Sequence, residues 1–166
     1  MSAEQIRNIL RMAPDVESEL TFRQQADLFE DELLGCDQIP DSYVDLFIEI
    51  VSTPEFAVQS GARNFVIRLY PDREKLTPGQ LQRILKGFES GYRYYSDERM
   101  QLLASDFVAR TCKPHESLAI LKKMAASAKN QQAKDALRVG LETAMRFVSD
   151  DSSEYKIGLD LMDRLS

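Results

Sequence analysis

Few side chains in this sequence could do acid–base, nucleophilic or metal chemistry, and they are scattered. One imidazole, His115, serves the whole chain, and the two thiols, Cys36 and Cys112, have no Cys-x-x-Cys partner between them. A Ser-His-Asp or Cys-His arrangement needs its base oriented by a third group. Lys113-Pro114-His115 instead has the form of a helix start, with proline at the first helical position. A zinc ion held by this histidine would have to take its remaining ligands from carboxylates and the two thiols. The thiols fit a reduced, buried state better than a disulfide framework. Paired carboxylates such as Asp27 and Asp31, four residues apart on one helix face, could act as acid and base. No catalytic residue, metal ligand or cofactor site is assigned, and a protein that is not an enzyme is expected, with a small-molecule substrate disfavoured.

The carboxylates carry more weight as a surface. Residues 1–60 hold 13 acids against Arg7, Arg11 and Arg23, a net of −10, while residues 61–166 have a net of +4, within a total of −6. Asymmetry of this kind sets long-range fields and the choice of partner. The segment 15–55 has 12 acids against Arg23 alone. Helical spacing turns Phe22, Ala26, Phe29 and Leu33 inward, which leaves Asp27, Glu30 and Asp31 outside. In the next helix Asp45 and Glu49 lie opposite Tyr43, Phe47 and Ile50. Those five carboxylates are the candidate binding residues, and a basic protein is the partner they fit. Arg93 and Tyr94, in Gly91-Tyr92-Arg93-Tyr94-Tyr95, form a second candidate, because they leave the buried stripe that Tyr92 and Tyr95 continue, and Tyr and Arg dominate many interfaces.

Amphipathic helices must position these groups. Alternating strand-type runs are scarce, and apolar residues recur at steps of three and four. Ile6, Ile9, Leu10 and Ala13 mark a first helix and Phe22 to Leu33 a second, with Gly35 just past its end. Tyr43, Leu46, Phe47, Ile50 and Val51 mark a third; Val58, Ala62, Phe65, Val66 and Leu69 a fourth. Thr77-Pro78 caps a fifth through Leu81, Ile84, Leu85, Phe88, Tyr92 and Tyr95. Ser96-Asp97 opens a sixth with Met100, Leu103, Ala104, Phe107 and Val108 inward. Pro114 starts a seventh with Leu118, Leu121, Met124 and Ala125. An eighth runs over about 130–149 on Ala133, Leu137, Leu141, Ala144 and Val148. A last short helix follows the polar break 150–153, with Tyr155, Leu159, Met162 and Leu165.

The expected fold is therefore all-α, about nine helices in antiparallel pairs. The 166 residues form one domain: acidic helices over 1–40, pairs 41–70, 77–112 and 114–149, and a C-terminal helix 154–165. No stretch reaches the roughly 18 apolar residues of a membrane span. Glu4 and Arg7 interrupt any basic-then-apolar leader, so cytoplasmic placement away from membranes is expected.

Three segments superpose: Ala62-Arg63-Asn64-Phe65-Val66-Ile67-Arg68, Ala104-Ser105-Asp106-Phe107-Val108-Ala109-Arg110 and Gly140-Leu141-Glu142-Thr143-Ala144-Met145-Arg146. Each begins with a small residue and ends in arginine, and each lies in the second helix of a pair, at offsets of 42 and 36 residues. The pattern resembles the HEAT and armadillo class of helical repeats over about residues 41–149, although the proline often seen in the first HEAT helix is missing. The resemblance implies a short right-handed α-solenoid, with a compact multi-helix bundle as the alternative, and it implies binding of macromolecules rather than catalysis. Arg68, Arg110 and Arg146 each have an acceptor four residues back, a spacing that supports a helix.

The functional expectation is a non-catalytic adaptor, regulator or inhibitor. Its size, acidity and all-helical character are similar to bacterial immunity proteins, which cover a basic toxic enzyme. The alternatives are an enzyme on a helical-repeat scaffold or a nucleic-acid binder using Lys113, Lys122, Lys123, Lys129, Lys134 and Arg138. Nucleic acid is disfavoured because acids are interspersed there and the first third repels phosphate.

Overall fold

A computed structural model describes residues 33–57, 66 and 72–166, together with positions 4, 7, 8, 24, 27, 30 and 31. Seven α-helices are delimited within these residues, and no strand occurs among them. They are α1 Asp41–Ser52, α2 Pro54–Ala57, α3 Pro78–Gly91, α4 Glu98–Thr111, α5 Pro114–Ser127, α6 Gln131–Met145 and α7 Ser153–Leu165. The all-α expectation holds among the described residues, where seven helices rather than the expected nine are delimited. The stripes Ile6 to Ala13 and Phe22 to Phe29, and Val58, Ala62, Phe65 and Leu69 of the fourth, lie outside the described residues, as do Ala62 and Arg68 of the first repeat-like segment.

The chain divides into two compact units, Met1–Gly91 and Tyr92–Ser166. The division falls inside Gly91-Tyr92-Arg93-Tyr94-Tyr95, whose three central residues form a 3₁₀ turn, Tyr92–Tyr94. No Gly/Ser-rich or Pro-rich linker marks it, which is why composition did not expose it.

In the first unit α1 packs against α3. Tyr43, Val44, Leu46, Phe47, Ile50 and Val51 of α1 are buried, as are Ile84, Leu85 and Phe88 of α3. Phe47 meets Phe88 edge-on, with centroids 5.7 Å apart. Gly87 permits the close approach, since a Cβ there would lie 3.2 Å from the Val51 side chain. Leu81, expected on the α3 stripe, is only half-buried.

Helix α3 begins with a capping box. Thr77 Oγ1 accepts from the Gln80 N–H at 3.2 Å, and Gln80 Oε1 accepts from the Thr77 N–H at 2.9 Å. The Gln80 amide also donates to the Ile39 carbonyl at 2.9 Å and to Asp41 Oδ1 at 3.0 Å. One buried glutamine thus caps its own helix and ties it to the start of α1.

In the second unit α4 packs most extensively on α6, and α5 and α7 pack on α6 and on each other. The starts follow the local signals. Asp97 caps α4 through Arg99 and Met100, Asn130 caps α6 through Ala133, and Ser152 caps α7 through Tyr155. Pro114 opens α5 as its first residue. The buried stripes of α4, α5 and α6 include Met100, Ala104, Phe107, Leu118, Leu121, Met124, Ala133, Leu137 and Leu141. Val148, expected on the α6 stripe, lies beyond the end of that helix and is half-buried.

The face of α7 differs from expectation. Leu159 is 44% exposed, and the buried residues are Gly158, Leu161 and Leu165. A glycine carries no apolar side chain to mark its face, yet at Gly158 it lets Met145 pack directly on the helix backbone. This shifts the buried stripe away from Leu159.

Polar groups in the second unit are tied across helices. Ser105 Oγ donates to the Ala136 carbonyl at 2.8 Å and Ser117 Oγ to the Val108 carbonyl at 3.0 Å. Tyr92 OH donates to the Ala133 carbonyl at 2.6 Å. The Gln101 amide reaches the Tyr95 carbonyl at 2.9 Å, while Gln132 donates to Gln101 Oε1 at 3.0 Å.

Candidate functional site

The carboxylates of the first unit spread over its exposed positions. Asp27, Asp31, Asp37, Asp41, Asp45 and Glu55 are exposed; Glu30 and Glu49 are half-buried. Asp41, Asp45 and Glu49 recur every four residues along α1, so helical geometry aligns them on one flank away from Tyr43, Phe47 and Ile50. Of the five acidic candidates, α1 brings together Asp45 and Glu49.

Two arginines meet this row. Arg83 on α3 pairs with Asp45 and reaches Asp41 at 3.5 Å. Arg7 Nε donates to Glu49 at 2.6 Å and its other nitrogen to Glu4 at 3.4 Å. Hydrogen bonding and the charge of Glu49 raise the already high Arg7 pKa, so this cation stays charged at every accessible pH. Among the described residues, the three carboxylates of the row on α1, Asp41, Asp45 and Glu49, meet two guanidinium groups. Each pair is at least partly solvated, so its net worth is on the order of 0–1 kcal/mol. Arg83 and Arg7 were not singled out from sequence. The signal for them was the period: each stands 38–42 residues from its partner on α1, close to the 42-residue offset of the repeat-like segments.

In the second unit Tyr92 and Tyr95 are buried and stack edge-on at 5.7 Å, while Arg93 is exposed and Tyr94 half-buried. The Arg93 guanidinium lies 4.8 Å above the Tyr94 ring. A cation–π pair of this kind sets a charged group and an aromatic face side by side at the 3₁₀ turn.

Elsewhere the reactive groups stay apart. No cluster of three or more His, Cys, Asp or Glu side chains able to hold a metal occurs among the described residues. Cys36 and Cys112 are not bridged, and both are half-buried where burial was expected. His115 is exposed in the first turn of α5. Of the arginines ending the repeat-like segments, Arg110 pairs with Asp106 four residues back at 2.7 Å, and Arg146 caps the end of α6. No helix among the described residues is long and apolar enough to cross a membrane.

Periodicity did not mark the exposed apolar side chains: Leu34 at 68% exposure, Phe147 at 69%, and Val139, Ile157 and Leu159 at just under half. Comparison with protein-family models, with curated proteins and with solved structures returns no match.

Proposed function

We propose that this chain is a non-catalytic protein-binding module, an adaptor, regulator or inhibitor, that takes a basic protein on the acidic helical surface of its first unit. One observation carries the reading. From residue 24 to residue 62 there is no Lys or Arg, and the described carboxylates of that stretch are exposed or half-buried with Arg7 and Arg83 set against the row on α1. Like charges held this close repel, and a cationic partner relieves that repulsion while being steered in by the field.

A HEAT-like scaffold is the form we propose for the helices. Its support is that α1 packs on α3 and α4 on α6, the same-position helices of successive pairs. The cross-helix hydrogen bonds agree, with sequence separations of 41 for Gln80–Ile39 and Tyr92–Ala133 and of 31 for Ser105–Ala136. Scaffolds of this kind hold macromolecules on exposed helix faces. An immunity-type role, in which a basic toxic enzyme is covered, is one form that the binding would take in a cytoplasmic protein.

Affinity capture with the intact chain tests the proposal. The expected result is a stoichiometric basic protein whose affinity falls about tenfold or more between low and physiological salt. The double variant Asp31→Lys/Asp45→Lys should lose that capture while its stability stays within about 1 kcal/mol of the parent. Capture that ignores both salt and charge reversal would overturn the reading.

A further inference from the structure

A small cleft of about 80 Å³ opens between α5 and α7, lined by Lys122, Ile157, Asp160, Leu161 and Arg164. It is far below the several hundred Å³ of a small-molecule site, so a single side chain rather than a metabolite fits it. Its floor is apolar, with Leu161 buried and Ile157 47% exposed. Its rim carries two exposed cations, Lys122 and Arg164, neither in an ion pair among the described residues. Asp160 is the one carboxylate among the lining residues. Along the chain from 117 to 134 there are four lysines and no acid, so this stretch of α5 is positive, while α7 contributes Asp160 and Asp163 close to Arg164 in sequence. The occupant that matches is an aliphatic side chain flanked by carboxylates.

The first unit displays such a segment. Leu34 is 68% exposed, between the exposed carboxylates of Asp31 and Asp37. Its backbone is held in place: the Leu34 carbonyl accepts from Lys75 Nζ at 3.1 Å, Cys36 N–H donates to the Leu33 carbonyl at 3.2 Å, and Ile39 N–H donates to the Lys75 carbonyl at 3.0 Å. A segment fixed before binding loses little conformational freedom on docking.

We propose that Leu33–Asp37 of one copy, together with Asp31, docks in the α5–α7 cleft of a second copy, with Leu34 against Ile157 and Leu161 and with Asp31 and Asp37 facing Lys122 and Arg164. Every chain carries both halves of this contact. The two halves differ, so the contact is heterologous, joining unlike surfaces of two identical chains. It rests on the proposed function only in treating the acidic segment as a docking face; the cleft is separate from that reading. A contact this small is weak, and self-association belongs to high protein concentration and low salt.

Sedimentation of the full chain at concentrations up to roughly 1 mM tests the proposal. At low salt the mass should rise above the 18.9 kDa of one chain, and it should return to that value at high salt. Leu34→Ser should weaken association about tenfold. Lys122→Glu/Arg164→Glu disables the cleft, and Asp31→Lys/Asp37→Lys disables the segment, so each variant alone should be monomeric. Mixed, they should associate again at low salt, because the intact segment of one meets the intact cleft of the other and the reversed charges of the second pair also complement each other. Circular dichroism of each variant verifies folding. A wild-type chain monomeric throughout, or association indifferent to the cleft variant, would overturn the inference. Capture of a basic partner by the cleft variant would remain, which keeps the two proposals distinguishable.

Discussion

A methyl group added at Gly140 would sit 2.7 Å from the Ser105 Cβ and 2.8 Å from the Ser105 carbonyl oxygen. Backbone stands in the way, so α4 and α6 could accept it only by moving apart. Gly140→Ala should therefore destabilise by about 1–3 kcal/mol despite the better helix propensity of alanine. Gly158 supplies the contrast, since its added Cβ would meet the Met145 sulfur at 2.6 Å, near the end of a flexible side chain. Gly158→Ala should cost less than Gly140→Ala, and thermal melts of the two variants check the order. Alignment of Gly140 with Ala104 made the small residue legible in the sequence. Its neighbour was not legible: Ser105 looks like a solvent-facing residue until its hydroxyl is seen bonded to the Ala136 carbonyl. The same holds for the candidate site. The acids could be placed outside from the apolar stripe opposite them, but matching Arg7 and Arg83 to Glu49 and Asp45 requires reading the repeat offset as the spacing between neighbouring helices.

Helix starts were the most legible elements, because a cap is a local matter of one side chain and two or three backbone N–H groups. Thr77-Pro78, Asp97, Pro114 and Asn130 all mark starts that the structure contains. Faces were less legible where glycine sat on them, as in α7. Gln80 shows what a cap signal leaves out. Its spacing from Thr77 announces a capping box, but not that the same amide satisfies the buried Ile39 carbonyl. Thr77→Ala removes one capping bond and should cost about 1 kcal/mol. Gln80→Ala also leaves a buried carbonyl unpaired and should cost about 2–3 kcal/mol. Urea titration of the pair checks that order; equal effects would mean that water replaces the glutamine at Ile39.

At the scale of the whole chain, stability and pH are linked through three tyrosines. Burial raises the phenol pKa of Tyr43, Tyr92 and Tyr95 above the usual value near 10. The folded state holds these protons more tightly than the unfolded state does. Their contribution is therefore complete below about pH 10 and is lost as the pH climbs past it, because the unfolded chain ionises first. The melting temperature should be level with respect to these groups from neutral pH to about 9 and fall above 10, and Tyr43→Phe should make that fall less steep. Composition gave no warning of this, since burial of a phenol depends on which stripe it joins. Nor did composition divide the chain at Gly91-Tyr92, where helical spacing runs on without a break in polarity.

The placement of these aromatic rings has an optical consequence. The sequence has six tyrosines and no tryptophan, so no indole drains or masks phenol emission. Tyr43 belongs to the first unit, Tyr92 and Tyr95 to the second. Each half of the molecule thus carries its own native fluorophore, and comparing the parent with Tyr43→Phe reveals whether the halves melt together or in turn.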